Sequence, residues 1–344
     1  MYDVIIAYSI TSFLLLFFCA VISYKFNLVD LPNKRKIHSR PIAYTGGVAI
    51  SITLLCALQL FDVTGGSLNS IISIAFLITI VGFIDDKYFL NTGGKLSLQI
   101  IPIFYLIIFE NLNLAHIGDY NYFILGLGSF SIPFSLLSVL FLINAFNYFD
   151  GIDGALGFTS ISVLAILYFL SPNENIKLFL ITILIPICIF LCFNFSIFKL
   201  PKLFLGDSGS LLLGFIISFV LIYFANQKLA HPILLAWSVA IFVYEFLSVN
   251  LLRIRNKKNP FQAGQDHLHH VLFAKNKSIF LTNFLMVFIN IIFFTIGYIS
   301  FIFFSPLVSL FLFLLFFIIF FIFRNIYFIK KKKLKTFYTT AINV

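Results

Sequence analysis

Charge is what this chain has least of. Only 10% of its 344 residues are Asp, Glu, Lys or Arg, whereas 61% are hydrophobic and the mean hydropathy is +1.06. Soluble domains carry about 25% charged residues, so a water-soluble fold is excluded. Cysteine is scarce as well. Cys19, Cys56, Cys188 and Cys192 all fall inside apolar runs without metal-ligand spacing. They read as small buried hydrophobes and carry no information on redox compartment. The first apolar run lacks a basic leader and an A-x-A cleavage site, which makes it a retained span rather than a cleaved signal peptide. No internal repeat is evident.

Long apolar runs are abundant, with Phe alone contributing 48 residues. A helix needs roughly 20 apolar residues to cross a hydrocarbon core ~30 Å thick. Eleven such runs are predicted, near 4–24, 46–61, 69–84, 96–109, 132–146, 155–170, 176–195, 209–225, 232–250, 279–303 and 307–328. The fold expected is therefore an all-α polytopic integral membrane protein, one transmembrane domain over 1–344 ending in a basic cytosolic tail at 329–344. Pro102, Pro186 and Pro232 fall within or beside spans, where neighbouring helices can re-satisfy the backbone. The loop from Asn111 to Ser131 is read as holding a short β-hairpin.

Eleven spans put the termini on opposite sides, and Lys and Arg decide which is which. With the N-terminus outside and the C-terminus cytosolic, only Lys177 and Lys228 of the 23 basic residues face outward. The net charge of +10 then reflects topology and anionic lipid, and no nucleic-acid partner is expected.

The acids do not follow from topology. Asp30, Asp85, Asp86, Asp150, Asp153, Asp207 and Asp266 all fall on the same side, at or near span ends. Carboxylates gathered at an anionic surface suggest a divalent cation, and Mg²⁺ suits one or two carboxylates plus substrate phosphates. Asp85 and Asp86 are adjacent and repel each other unless a cation or proton relieves them. The run Asn144-Ala145-Phe146-Asn147-Tyr148-Phe149-Asp150-Gly151-Ile152-Asp153-Gly154 has two glycine-followed acids and no basic residue to pair with them. Phe204-Leu205-Gly206-Asp207-Ser208-Gly209-Ser210 leads into a span, where free helix N–H groups would favour a phosphate; plain N-capping competes with that reading. The first loop holds Lys34, Arg35, Lys36, His38 and Arg40, suited to a lipid phosphate, and ends at Gly46-Gly47. Asp266-His267-Leu268-His269-His270 admits phosphate binding, proton transfer or zinc, although no fourth zinc ligand adjoins. Glu245 is an acid inside a span, a functional candidate by default, with Arg253 or another basic residue as its expected partner.

In this order, the segments between about 30 and 275 resemble the polyprenyl-phosphate N-acetylhexosamine-1-phosphate transferase family, glycosyltransferase family 4. The His-Leu-His-His run resembles its WecA-like side rather than the side using the muramyl-pentapeptide donor. The resemblance implies transfer of a sugar-1-phosphate from a UDP-N-acetylhexosamine to undecaprenyl phosphate, with UMP released. Mg²⁺ is the implied cofactor, with Mn²⁺ as the alternative. The resemblance also implies a bacterial cytoplasmic (inner) membrane location with a cytosolic site, membrane lipids as surroundings, and a homodimer by analogy.

Carried over by position, Asp207 resembles the principal metal ligand, with Asp150 beside it. Asp85, next to Asp86, resembles the acid that deprotonates the lipid phosphate. Asp150 and Asp153 match acids that help hold metal and nucleotide, Asn147 an amide near the nucleotide, and Phe204 an aromatic for the uracil. His267, His269 and His270 match the histidine motif at the diphosphate. Lys34, Arg35, Lys36, His38 and Arg40 match the substrate-phosphate loop. Two features depart from the family pattern: the spacing from Asn194 to Asp207, and Glu245 near where an Asp is usual. UDP-GlcNAc is the first donor expected, with UDP-N-acetyl-deoxyhexoses of the FucNAc or QuiNAc type next. An ion-coupled transporter is the rival from another class. It requires acids near the midplane on broken helices, a place only Glu245 occupies.

Overall fold

The computed structural model describes residues 2–32, 40–61, 66–260, 264 and 266–342. Lys34, Arg35, Lys36 and His38 lie outside the described residues. The chain is a bundle of helices. α1 (Tyr2–Lys25) leads to a two-residue strand pair, β1 (Val29–Asp30) and β2 (Ile42–Ala43), joined antiparallel. Then come α2 (Gly46–Leu60), α3 (Gly66–Tyr88) and α4 (Thr92–Phe109). The expected hairpin is present as β3 (His116–Asp119) and β4 (Ile124–Gly126). α5 (Ser131–Phe149), α6 (Ala155–Leu170), α7 (Glu174–Asn194) and α8 (Gly206–Asn226) follow. α9 (Pro232–Ser238), α10 (Ala240–Arg255), the short α11 (Leu268–Asn276), α12 (Ile279–Phe303) and α13 (Pro306–Ile342) complete the chain.

A helix stands at each of the eleven expected positions, but not all have the length of a span. Among the described residues eight helices are long and apolar enough, and α9 with α10 makes a ninth, bent by 71° at Val239. α2 and α6, with 15 and 16 residues, rise only about 22–24 Å at 1.5 Å per residue, short of the ~30 Å core. Eight to nine of the eleven expected positions therefore hold a helix of full span length, and α2 and α6 are shorter apolar helices. This is an all-α, multi-pass membrane protein.

α8 is the central helix, with 89% of its apolar window buried. It packs against α2, α3 and α5. Small residues permit the close approach that membrane helices use in place of a hydrophobic driving force. A Cβ on Gly82 of α3 would lie 2.5 Å from the Ser208 backbone, and one on Gly47 would lie 2.0 Å from the Gly209 nitrogen. The bend between α9 and α10 frees a backbone carbonyl inside the bundle. Asn290 of α12 takes it, donating from Nδ2 to the Ser238 oxygen at 3.1 Å.

The two ends of the bundle differ. At one end the β3–β4 hairpin is tied to the start of α9, where the His231 ring nitrogen lies 2.9 Å from the Asp119 carbonyl oxygen. At the other end meet the C-termini of α3, α5 and α10 and the N-termini of α4, α6 and α8, with nearly all the acids singled out above.

Candidate active site

The site is built around the first turn of α8. Gly206 enters it with φ +74°, and a Cβ there would sit 2.5 Å from the Tyr44 carbonyl oxygen and 2.6 Å from Asp86 Oδ2. Only glycine meets both demands without strain. The segment before the helix is zipped to the end of the first loop. The Phe204 N–H donates to the Ala43 oxygen at 2.7 Å, Gly46 N–H to the Phe204 oxygen at 3.0 Å, and Gly47 N–H to the Leu205 oxygen at 2.9 Å. Asn194 closes the strap by donating to the Leu203 oxygen at 3.0 Å. That contact accounts for Asn194 structurally.

Asp207 is the meeting point. Lys95, from the first turn of α4, donates Nζ to Asp207 Oδ2 and lies 2.7 Å from Asp85 Oδ2. Asn147 of α5 donates Nδ2 to Asp207 Oδ1 at 2.9 Å and to Ser210 Oγ at 2.8 Å. Asp85 also accepts the Leu90 N–H at 2.8 Å. Four helices thus converge on one carboxylate.

The helix N-terminus is less open than its sequence suggests. Asp86 accepts the Asp207 N–H at 2.8 Å and the Ser208 N–H at 3.1 Å. A carboxylate from another helix therefore caps α8, which satisfies two of its orphan donors and suits the positive end of its dipole. Those two amides are not free for a phosphate.

The 150–154 loop completes one wall. Asp150 reaches solvent, yet the protein packed around it, followed by the charges of Asp207 and Asp153, raises its carboxyl to about 7. Asp153 does have a basic partner, from a distant loop: Lys202 Nζ lies 2.6 Å from its Oδ2 and 5.6 Å from the centre of the Phe204 ring. Asn283 of α12 donates to the Asp153 carbonyl oxygen at 2.8 Å.

The histidine run packs against this loop. His269 is wholly buried against Gly151, where a Cβ would fall 2.2 Å from its Nε2. The His269 and His270 rings are 4.2 Å apart, those of His267 and His269 5.7 Å, and Tyr148 lies 4.8 Å from His267. Burial lowers the pKa of both His267, to about 3, and His269, outweighing for His267 the opposing pull of the Asp266 carboxylate. Asp266 is itself held below the usual carboxylate range by Arg253, despite its burial. Arg40 is exposed.

A pH dependence follows. Both histidines have folded pKa values below their ordinary 6.5. Above pH 6.5 they are neutral folded or unfolded and contribute no slope. Below it the unfolded chain takes up protons that the folded chain refuses, so stability falls by up to about 1.4 kcal/mol per pH unit for each histidine. Asp150, raised instead of lowered, works in the opposite direction. The comparison is therefore between wild type and a His267→Gln/His269→Gln variant in thermal unfolding from pH 7 to pH 5. The variant is expected to lose less stability on acidification; equal losses would contradict the buried neutral state.

Several contributors were not apparent in the sequence. Lys95 reads there only as one more cytosolic lysine, and Lys202 as another. Glu245 pairs with neither Arg253 nor any residue near it in sequence. Its partner is Arg324, 2.9 Å away on α13, while Arg253 makes a two-bonded pair with Asp266. Among the described residues no three His, Cys, Asp or Glu side chains form a ready-made metal cage.

Fold and site together define a multi-pass membrane protein with a carboxylate-rich polar centre at one end of its bundle. Comparison with known proteins bears out the family resemblance: the family model described as Glycosyl transferase family 4 matches residues 68–225. The chain is 27% identical over 267 residues to the undecaprenyl-phosphate alpha-N-acetylglucosaminyl 1-phosphate transferase of Escherichia coli (strain K12), covering 75% of this chain and 72% of that one. It is 28% identical over 265 residues to the protein of the same name from Yersinia pestis, with the same coverage. It is 27% identical over 257 residues to a probable undecaprenyl-phosphate N-acetylglucosaminyl 1-phosphate transferase of Bacillus subtilis (strain 168), covering 74% and 72%.

Proposed function

We propose that this protein transfers an N-acetylhexosamine-1-phosphate, GlcNAc-1-phosphate first among the candidates, from a UDP-sugar to undecaprenyl phosphate. The convergence of Lys95, Asn147 and Asp86 on the Asp207 turn, flanked by Asp150 and the histidine run, carries this reading. The names of the relatives support it. The reaction joins a water-soluble diphosphate to a lipid phosphate, so it belongs at a membrane surface, and one end of the bundle holds the polar groups. That end is assigned to the cytosol, with the N-terminus outside and the basic tail at 329–344 inside. Eleven crossings are kept by counting α2 and α6, short as they are. The location is the bacterial cytoplasmic membrane.

An oxygen of the lipid phosphate attacks the donor's β-phosphorus and forms the new P–O bond. The bond from that phosphorus to the bridging oxygen breaks, and UMP leaves with the oxygen. Phosphoryl transfer asks for charge neutralisation and alignment more than covalent work. Lys95 supplies positive charge and holds Asp85 and Asp207 at fixed separation. Asp85 is the group assigned to take the proton of the lipid phosphate. Asn147 orients Asp207, and Phe204 offers a ring for the uracil. The histidines line the diphosphate side, and the first loop, with Arg40, receives the lipid phosphate.

The donor set suits Mg²⁺, which takes hard oxygen ligands and commonly shares them between one or two carboxylates and substrate phosphates. Asp207 and Asp150 would hold it. Like charges act on Asp150 here, a crowding that a cation relieves. Bound there, Mg²⁺ would neutralise charge on the donor's diphosphate.

The test is purified full-length protein in nanodiscs with undecaprenyl phosphate, Mg²⁺ and a panel of UDP-sugars, scored for UMP and lipid product. UMP release that requires the lipid phosphate is the expected result. Solute flux through proteoliposomes without UMP release would replace this reading by a transporter.

A further inference from the structure

The backbone on either side of His267 is held by one buried ion pair. Arg324 of α13 donates Nη2 to the Asp266 carbonyl oxygen and, at 2.9 Å, to Glu245 Oε1. The same Oε1 accepts the Leu268 N–H at 2.8 Å and lies 3.9 Å from His267 Nδ1. The carbonyl before the histidine and the N–H after it therefore end on the two members of the pair. Glu245 is 0% and Arg324 7% exposed.

Stability alone does not explain charges in this place. Taking two ions out of solvent offsets much of their attraction, and an apolar pair of similar volume commonly serves a fold as well. Charges are instead suited to holding a polar backbone segment, which has fixed donors and acceptors to satisfy. The segment so held leads directly into His269, which rests against Gly151 of the Asp150–Asp153 loop.

We infer that Glu245 and Arg324 are positioning residues: their ion pair, joining α10 to the last helix, fixes the peptides around His267 and so aims the histidine run at the acidic loop. The functional half of this inference rests on the transfer reaction proposed above; the structural half rests on the contacts alone. The pair also gives α13 a part in the site, although it carries none of the acidic, basic or histidine segments singled out in the sequence.

The test uses the full chain in nanodiscs and two readouts. A Glu245→Gln/Arg324→Leu double variant keeps an acceptor for the Leu268 N–H, removes the donor to the Asp266 oxygen and leaves no buried charge stranded. Hydrogen exchange in peptides covering 266–270 is expected to quicken, while α3 and α8 keep wild-type protection. The kcat for UMP release is expected to fall by on the order of 10- to 100-fold, as misplacement by a fraction of an ångström to an ångström does, with KM for the UDP-sugar little changed. Unchanged exchange at 266–270 overturns the inference. So does lost protection throughout the bundle, which would make the pair a general stabiliser, and so does quickened exchange with wild-type kcat. Absence of UMP release by the wild type would instead overturn the transfer reading, leaving the exchange data to judge the clamp.

Discussion

Asp207→Asn is expected to lower UMP release by roughly 10²- to 10³-fold, the usual scale for removing one electrostatic contact at a reacting centre, while leaving the fold intact. Two features of the site separate chemistry from stability here. The α8 N-terminus is capped by Asp86, not by Asp207, so the helix keeps its cap. An asparagine also retains an oxygen to accept from Asn147, which now donates to Asp207 Oδ1 at 2.9 Å. What is lost is a negative charge beside Lys95 and a carboxylate suited to a divalent cation. Turnover and thermal unfolding are measured on the same preparation. Collapse of turnover with a nearly unchanged Tm supports the role proposed for Asp207. Metal-dependent UMP release at the wild-type rate would remove Asp207 from the site. Asp86→Ala is the instructive contrast, because it strips the cap and costs stability as well.

The bundle was legible because a membrane imposes a length and a composition on anything that crosses it. Each apolar run became a helix, including α2 and α6, but hydropathy could not reveal that those two are shorter than a full span. The break at Val239 was illegible for a related reason: no Pro or Gly marks it, and the carbonyl it frees is satisfied by Asn290, 52 residues away. The acidic side of the site was legible because carboxylates at an anionic surface demand an explanation. Its basic partners were not. Lysines at span ends are the default of the orientation rule, so Lys95 and Lys202 carried no signal of their own. Asp207 and Lys95 are 112 residues apart, and Asp153 and Lys202 are 49 apart; spacing along a helix says nothing about such pairs. Arg324 was hidden in the same way, at the end of an apolar run where a snorkelling anchor is the ordinary expectation. The free amides expected at α8 were taken by Asp86, a competition visible only once α3 and α8 are packed together through Gly82.

Lys95→Met is the variant in which that hidden partner matters most. Lys95 is 14% exposed and is paired with both Asp85 and Asp207. Methionine conserves much of the stem's volume but leaves two close carboxylates without their cation. Breaking one member out of a largely buried charge group costs about 3–5 kcal/mol, so a lower Tm is expected without added metal. UMP release should fall by at least about 10²-fold, since the preorganised charge that the proposed mechanism assigns to the transferred phosphoryl group is gone. The response to Mg²⁺ distinguishes this account from simple misfolding. Freed from Lys95, Asp85 and Asp207 have more to gain from a divalent cation, so Mg²⁺ is expected to raise the Tm of the variant more than that of the wild type, without restoring turnover. A thermal-unfolding series across Mg²⁺ concentrations reads this directly. Wild-type turnover in Lys95→Met would reduce Lys95 to the orientation signal its sequence context suggests. An equal Mg²⁺ response in both proteins would move the cation away from Asp85 and Asp207, toward Asp150 and Asp153 on the facing loop.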